Sequence, residues 1–274
     1  MFSVLILTLN EEHNLPACIG SLAGVDDIHV LDSGSTDRTH EVARSLGAHV
    51  SVNRFENFAQ QRNHAHDHLP FRHPWVFHLD ADERMTPELV AELRAVAEAE
   101  TSDPVHVGYW AAPKMLWEGR WVPRCTDYPA WQARFARVPA FRFVETGHGQ
   151  RETPGAKLGY LKNNYLHDMS ASGVDDWLEK HRRYARREAE AWKDIRRPLP
   201  DDLRSLFSRD YLLRRRALKR LSYRLPARPL ARFIYQYLLR GGFLDGAAGW
   251  RYCRLLARYE GFAAEEFRRV RRGG

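Results

Sequence analysis

Four short apolar runs constrain this chain most: Phe2–Leu9, Ile28–Leu31, Ala48–Val52 and Val76–Leu79. Stretches of about ten residues that read as helices lie between them. Strands alternating with helices in this way predict an α/β fold with a mostly parallel sheet flanked by helices. Phe2–Leu9 is almost wholly apolar, as befits a central strand covered on both faces. Polar turns follow three of the runs, at Asn10–Asn14, Asp32–Asp37 and Asp80–Glu83. Ligands of open α/β sheets bind outside the carboxyl ends of strands, so these turns are expected to converge on one cleft. No G-x-G-x-x-G or G-x-x-x-x-G-K-[ST] occurs, which disfavours dinucleotide and P-loop binding.

The local signals are specific. Asn14 is placed to cap a helix from Leu15 to about Ala23, and Asp37 or Thr36 one from Arg38 to Leu46, stopped at Gly47. Further helices are predicted over Phe58–His68 and Pro87–Glu100. Asp80-Ala-Asp82-Glu83 places three acids at a strand end. Clustered carboxylates repel unless a cation or a shifted pKa relieves them. A divalent metal bridging phosphates would do so. So would solvent, or a role in starting the helix near Thr86-Pro87.

Residues 105–145 are rich in aromatics and turn formers and read as irregular strands. Trp110, Trp117, Trp121, Tyr128 and Trp131 are expected to be core material, with sugar stacking as the alternative. Glu145, His148, Glu152, His167 and Asp168 fall among glycines, as in a loop wrapping a site. A helix is predicted from Val174 to about Ile195, and a last one ending near Phe267, with a frayed basic tail from Arg268.

The net charge of +7 hides a division: residues 1–100 carry a net −9 and the remainder a net +16. Residues 196–240 alone hold 13 basic residues against 3 acids. A rough apolar stripe through Leu203, Leu206, Phe207, Tyr211, Leu218, Leu221 and Leu225 makes this an amphipathic basic arm. It suits either an anionic membrane surface or a solvated helix face. Three widely spaced cysteines argue against a disulfide framework or zinc site. No apolar stretch reaches 18 residues, so no spanning helix is expected, and Ser3–Leu9 is too short for a secretory signal.

Taken together, Thr8-Leu-Asn-Glu-Glu-His-Asn-Leu15, Asp32-Ser-Gly-Ser-Thr-Asp37, Phe58-Ala-Gln-Gln-Arg-Asn63 and Leu79-Asp-Ala-Asp-Glu83 resemble the ordered motifs of family 2 glycosyltransferases of the GT-A fold. Leu161–His167, the Trp177-Leu-Glu-Lys…Tyr184-Ala segment and Gly242-Phe-Leu-Asp-Gly246 resemble the branch that glucosylates the bacterial lipopolysaccharide inner core. The resemblance implies a GT-A catalytic domain over residues 1–168 and a basic helical extension over 169–274. It implies an inverting hexosyltransferase that uses Mg²⁺ or Mn²⁺, a nucleotide diphosphate sugar (UDP favoured) and a lipopolysaccharide or other lipid-linked or protein acceptor.

It also assigns positions. Thr8, Asn10 and Glu11 would line the base and ribose, and Asp32, or Ser33 beside it, would hold the base. Arg62 would contact the diphosphate. Asp82 would bind the metal, and Asp80 would reach the ribose or the metal. Glu152 is the expected general base, with Glu145 second and His148 nearby. His167 would complete the metal shell or hydrogen-bond within its loop. The implied location is cytoplasmic, peripheral on the inner face of the membrane. The alternatives from other classes are a nucleic-acid binder using the 196–240 arm, which carries no recognisable nucleic-acid motif, and a membrane-surface scaffold.

Overall fold

The computed structural model describes residues 1–101, 105–146, 149–171, 173–192, 199–222 and 227–272. The chain divides into two compact units, Met1–Leu116 with Asp127–Ala171, and Trp117–Thr126 with Ser172–Gly274.

The first unit opens with β1 (Ser3–Thr8), α1 (Leu15–Gly20), β2 (Ile28–Asp32), α2 (Thr39–Ser45), β3 (His49–Val52), α3 (Phe58–His68) and β4 (Trp75–Asp80). It continues through β5 (Glu83–Arg84), α4 (Pro87–Ala99), β6 (Gly108–Ala111) and β7 (Pro113–Trp117). After β8 (Arg120–Trp121), which belongs to the second unit, come β9 (Gln132–Arg137), β10 (Phe143–Thr146), β11 (Gly149–Glu152), β12 (Leu158–Tyr160) and β13 (Tyr165–Asp168). Seven strands form the main sheet in the order β12-β6-β9-β4-β1-β2-β3. Only β9 runs against its neighbours β4 and β6; the other pairings are parallel, as the alternation predicts.

The register explains why β1 is apolar throughout. Alternate residues of a strand point to opposite faces. Val4 and Ile6 join one hydrophobic cluster with Leu15, Cys18, Leu89 and Leu93 of α1 and α4. Leu5 and Leu7 join another with Ala65 of α3. Phe135 of β9 anchors the first cluster, lying 4.9 Å from the Trp75 ring and 5.8 Å from that of Phe2. Gly108 lies so close to it that a Cβ there would stand 3.0 Å from the Phe135 carbonyl oxygen.

Helix starts differ in detail from expectation. Asn14 makes no side-chain cap; its Nδ2 donates to Glu11 Oε2 at 2.7 Å. Asp37 does hold the start of α2, accepting from the Thr39 amide at 3.0 Å. Asn57 caps α3 by accepting from the Gln60 amide at 2.8 Å, and Thr86 caps α4 by accepting from that of Leu89 at 3.2 Å.

In the second unit, α5 (Gly173–Trp192), α6 (Leu199–Ser205), α7 (Tyr211–Ser222) and α8 (Arg228–Phe233) lead into a π-helical turn (Ile234–Leu239). A 3₁₀ turn (Gly242–Asp245) and α9 (Gly246–Arg272) follow. The tail expected to fray at Arg268 is therefore helical through Arg272. Tyr259 of α9 donates to Glu188 of α5 at 2.8 Å. Of the aromatics expected in the core, Trp117 is fully buried, packed on Trp177 and Tyr252, whereas Trp121 and Trp131 are exposed. All three cysteines are reduced and buried, and the Sγ atoms of Cys125 and Cys253 lie 3.4 Å apart. Among the described residues, no helix is long and apolar enough to cross a membrane.

Asp32, at the end of β2, ties the sheet to its turns. It is fully buried and accepts from Thr8 Oγ1 (2.8 Å), the Gly34 and Ser35 amides (2.8 and 2.7 Å) and the Ser35 hydroxyl. His40 Nε2 adds a contact at 2.8 Å. Burial opposes ionisation, but these donors outweigh it and hold the carboxyl at about 2, below its ordinary 3.8. A depressed acid stabilises the fold above its unfolded pKa and loses that contribution as pH falls through the folded value. Asp32→Asn should therefore cost about 2 kcal/mol at neutral pH and flatten the stability profile between about pH 4 and pH 2, as read by urea unfolding. Phe135→Ala should cost about 3–5 kcal/mol in the same assay, because the cavity it leaves is walled by rigid rings.

Candidate active site

The site lies where β4, β1 and β2 end side by side, with Leu7 opposite Asp80 and Thr8 opposite Asp32. Helical connections leave β1 and β4 on opposite sides of the order 3-2-1-4, which opens a crevice at their carboxyl ends.

The turns after β1 and β2 are joined by hydrogen bonds. Asn10 adopts φ of +57°, a left-handed conformation that asparagine tolerates. Its amide donates to Ser35 Oγ at 2.7 Å, and its Oδ1 accepts from the Thr36 amide at 2.8 Å. The Glu11 amide donates to Thr39 Oγ1 at 2.8 Å. Asn10 is exposed and Glu11 half-buried at the rim, while Thr8 and Asp32 lie beneath. Asp32 thus meets donors of its own chain, and the half-buried Ser33 beside it accepts from Gln61 Nε2 at 3.3 Å.

Helix α3 carries the next group. Gln61 bridges to Asn53 as well, donating to its carbonyl at 3.1 Å and accepting from its Nδ2 at 2.8 Å. Arg62 is 2% exposed and donates through Nη2 to Asp80 Oδ1 at 2.8 Å. Its Nε and Nη1 are buried with no hydrogen-bond partner among the described residues. Burial pulls its pKa down from the ordinary value, against the opposing pull of Asp80.

Asp80 is shared between two guanidinium groups. Arg134 of β9 donates through Nη2 to Asp80 Oδ2 at 3.1 Å and to Glu83 Oε1 at 2.8 Å. Glu83 is fully buried, and its Oε2 accepts from the Asp80 amide at 2.8 Å. Its part is to fix the strand end; Thr86, not Glu83, starts the helix. The acids of the motif therefore diverge in charge. Burial opposes the ionisation of Asp80, but Arg134 and Arg62 override it and hold its carboxyl well below the usual range. Burial is also the largest influence on Glu83 and, reinforced by the Asp80 charge, pushes it up to about 7 against Arg134.

Asp82 faces the other way. Its Oδ2 lies 3.4 Å from Nε2 of His167, which β13 sets in register opposite Glu83. Burial would lower the His167 pKa, but the Asp82 hydrogen bond and charge raise it on balance. Among the described residues, no group of three or more His, Cys, Asp or Glu side chains is arranged to hold a metal ion. The available pair is Asp82 and His167. A single carboxylate such as Asp82 beside phosphate oxygens and water is the usual habit of Mg²⁺, whereas an imidazole is more typical of softer cations.

The hairpin of β10 and β11 completes the site. Asn63 fastens it to α3: its Nδ2 donates to the Phe143 carbonyl at 2.9 Å and its Oδ1 accepts from the Phe143 amide at 3.0 Å. Phe143 pairs with Glu152, and Glu145 with Gln150. A cavity of about 450 Å³ opens here, lined among others by Phe58, Arg62, Asp80, Trp131, Arg134 and Glu152. Glu145 is not in its lining; it is exposed and accepts from Asn57 Nδ2 at 3.2 Å. Thr8, Asn10, Glu11, Asp82 and His167 also lie outside that lining. His148 falls outside the described residues.

Sequence reasoning missed Arg134, Gln61 and Asn63. Arg134 left only a weak trace, one of two charges in the strand-like run Gln132-Ala-Arg-Phe-Ala-Arg137, with nothing in the run to show that it faces inward. Gln61 and Asn63 lay inside a motif from which only Arg62 was singled out.

Comparison with known proteins bears on this geometry. An uncharacterized glycosyltransferase of Rickettsia felis is 32% identical over 196 residues, 68% of each chain. The lipopolysaccharide core biosynthesis glycosyltransferase LpsC of Rhizobium meliloti is 32% identical over 131 residues, 43% of this chain and 48% of that protein. The crystal structure of S. aureus TarS 1–349 in complex with UDP aligns with 100% of this chain and 92% of that one, at 16% identity and a TM-score of 0.46. The chain spans from 34% to 68% of the length of the rickettsial relatives it matches. The family model for glycosyl transferase family 2 matches residues 3–150, which include the strands β1–β4, Arg62 and Arg134 of the cavity and the β10–β11 hairpin as far as Gln150. The chain belongs to glycosyl transferase family 2.

Proposed function

We propose that this glycosyltransferase moves a hexose, with inversion at the anomeric carbon, from a UDP-sugar to a hydroxyl of the lipopolysaccharide core, and that a divalent cation assists. The observation that carries the reading is the cavity itself. It sets a carboxylate, Glu152, in one chamber with Arg62, two of whose buried nitrogens have no hydrogen-bond partner among the described residues. A transferase of this kind needs both groups: fixed positive charge for the leaving diphosphate and a base for the attacking hydroxyl. The resemblance to LpsC, a lipopolysaccharide core enzyme by name, supports the acceptor class.

The roles follow from position. Thr8, Asn10 and Glu11 lie at the rim where base and ribose would rest, and Asp32 acts on them by fixing the two turns rather than by direct contact. Arg62 turns Nε and Nη1 to the diphosphate while Nη2 stays on Asp80. Arg134, pinned by Asp80 and Glu83, keeps Asp80 ionised and Arg62 in place. Asp82 and His167 would hold Mg²⁺ or Mn²⁺, which when bound offsets the charge of the leaving diphosphate. A metal-binding imidazole must be neutral, and His167 is biased toward its protonated form by Asp82, so cation binding should release a proton and weaken at low pH. Glu152 takes the acceptor proton as the hydroxyl attacks opposite the diphosphate, which sets the inverted configuration. The basic 196–240 arm is the part that would face the anionic inner surface of the membrane, where a lipid-linked acceptor resides.

Three outcomes test this. Asp82→Asn should abolish cation-dependent transfer while leaving the unfolding midpoint unchanged; full turnover in that variant would remove Asp82 from the cation site. Glu152→Gln should lower kcat by about 10²–10⁴-fold with donor KM nearly constant, and Glu145→Gln should change it little. The reverse pattern would transfer the base role to Glu145. Arg62→Lys, which keeps the charge but loses the planar fork, should raise the UDP dissociation constant measured by calorimetry, and an unchanged value would place the diphosphate elsewhere.

A further inference from the structure

Six exposed large apolar or aromatic side chains of the second unit, Ile234, Tyr235, Leu238, Leu239, Phe243 and Leu244, fall in one short segment, while others such as Phe207 and Leu218 lie singly along the arm. Beyond α8 the chain widens into the π-helical turn Ile234–Leu239, reverses at Gly241 with φ of +76°, and closes with the 3₁₀ turn Gly242–Asp245. Leu238, Leu239, Phe243 and Leu244 all face solvent, Leu239 at 76% and Leu244 at 65% exposure. They do not project from a loose loop. Phe233, Tyr237 and Trp250 pack ring to ring at 5.2 Å, and Phe243 joins Tyr237 at 6.3 Å, which gives the leucines an aromatic base.

Polar anchors hold this knob from behind. Gln236 is 1% exposed and donates to the Cys125 carbonyl at 2.7 Å. Arg240 donates to the Thr126 carbonyl at 3.1 Å. Asp245 accepts from the amides of Arg124 and Cys125 at 2.9 and 2.8 Å. Gly242 is seated so closely that a Cβ would stand 2.7 Å from the Gln236 carbonyl oxygen. The polar side chains of the segment point inward and its apolar ones outward, the reverse of an ordinary surface turn. A contiguous apolar patch held out in water marks an interaction site.

The surrounding charge identifies the occupant. The 13 basic residues against 3 acids of residues 196–240 run directly into the knob, within a region of net +16 beyond residue 100. Apolar side chains on a fixed turn, preceded in the sequence by a strongly basic arm, match the bilayer interface, where the first enter the acyl boundary and the second meets anionic headgroups. We infer that the Ile234–Leu244 knob inserts into the surface of an anionic lipid bilayer through Leu238, Leu239, Phe243 and Leu244. This deepens the membrane reading of the basic arm, from which it differs in assigning attachment to the knob and attraction to the arm.

Flotation of the full chain with vesicles of phosphatidylglycerol and phosphatidylethanolamine, or of phosphatidylcholine alone, tests it. The chain should float with the anionic vesicles, and Leu239→Glu/Leu244→Glu should lower the bound fraction about ten-fold or more at an unchanged melting temperature. A double variant that floats like the parent overturns the inference. So does a parent that is dimeric in light scattering and becomes monomeric only in the double variant without losing flotation, since the knob would then join two copies. A second readout covers a variant that misfolds: an environment-sensitive dye on Leu239→Cys, the three native cysteines being buried, should shift to the blue on adding anionic vesicles, and an unmoved spectrum overturns the inference. Asp82→Asn, inactive in transfer, should float like the parent, so failure of the catalytic reading and failure of this one are distinguishable.

Discussion

The first unit is built around two arginines and two acids joined by hydrogen bonds, Asp80 alone among them being partly exposed. Arg62, Asp80, Arg134 and Glu83 lie within hydrogen-bonding distance of one another in sequence, the two arginines and Glu83 almost wholly buried. Burying such groups is costly unless each finds partners, and removing one partner leaves another charge stranded. The network therefore holds together α3, β4, β5 and β9, which come from separate parts of the chain. It also lowers the negative charge that the acidic strand end would present to the diphosphate proposed above. Asp80 is neutralised twice over by guanidinium groups, Glu83 is shifted toward its neutral form, and Arg62 retains unpartnered nitrogens.

Asp32 performs a comparable task without charge pairing. By accepting from Thr8, Gly34 and Ser35, it converts two flexible turns into a fixed rim. The Asn10 and Glu11 amides then donate to Ser35 and Thr39 across the same gap. A site whose rim is already hydrogen-bonded needs less ordering when a ligand arrives.

Much of this was legible in the sequence, and the boundary of legibility is physical. The first four strands were readable because each is a short run between polar turns, and α3 because Leu69-Pro70 stops it. The turns were readable as a common edge because parallel strands end together. Arg134 was not, because a charge inside a strand looks like a solvent-facing residue until the partner acids are placed beside it. Glu83 was read as helix-starting because it precedes Thr86-Pro87, and only the three-dimensional approach of Arg134 reveals its burial. Cys125 and Cys253 looked unrelated at their separation along the chain, yet their sulfurs touch. Trp131 and Trp121 were expected inside because large aromatics usually are; their exposure depends on tertiary packing that periodicity does not encode.

The adjacency of Arg62 and Asn63 has a mechanical consequence. One residue reaches the proposed phosphate position; the next, through two hydrogen bonds, suspends the strand paired with Glu152. In the proposed reaction the two jaws, anion holder and proton acceptor, would thus hang from one helix, like the arms of a caliper with a single pivot. A displacement of α3 would carry both jaws together and preserve their gap.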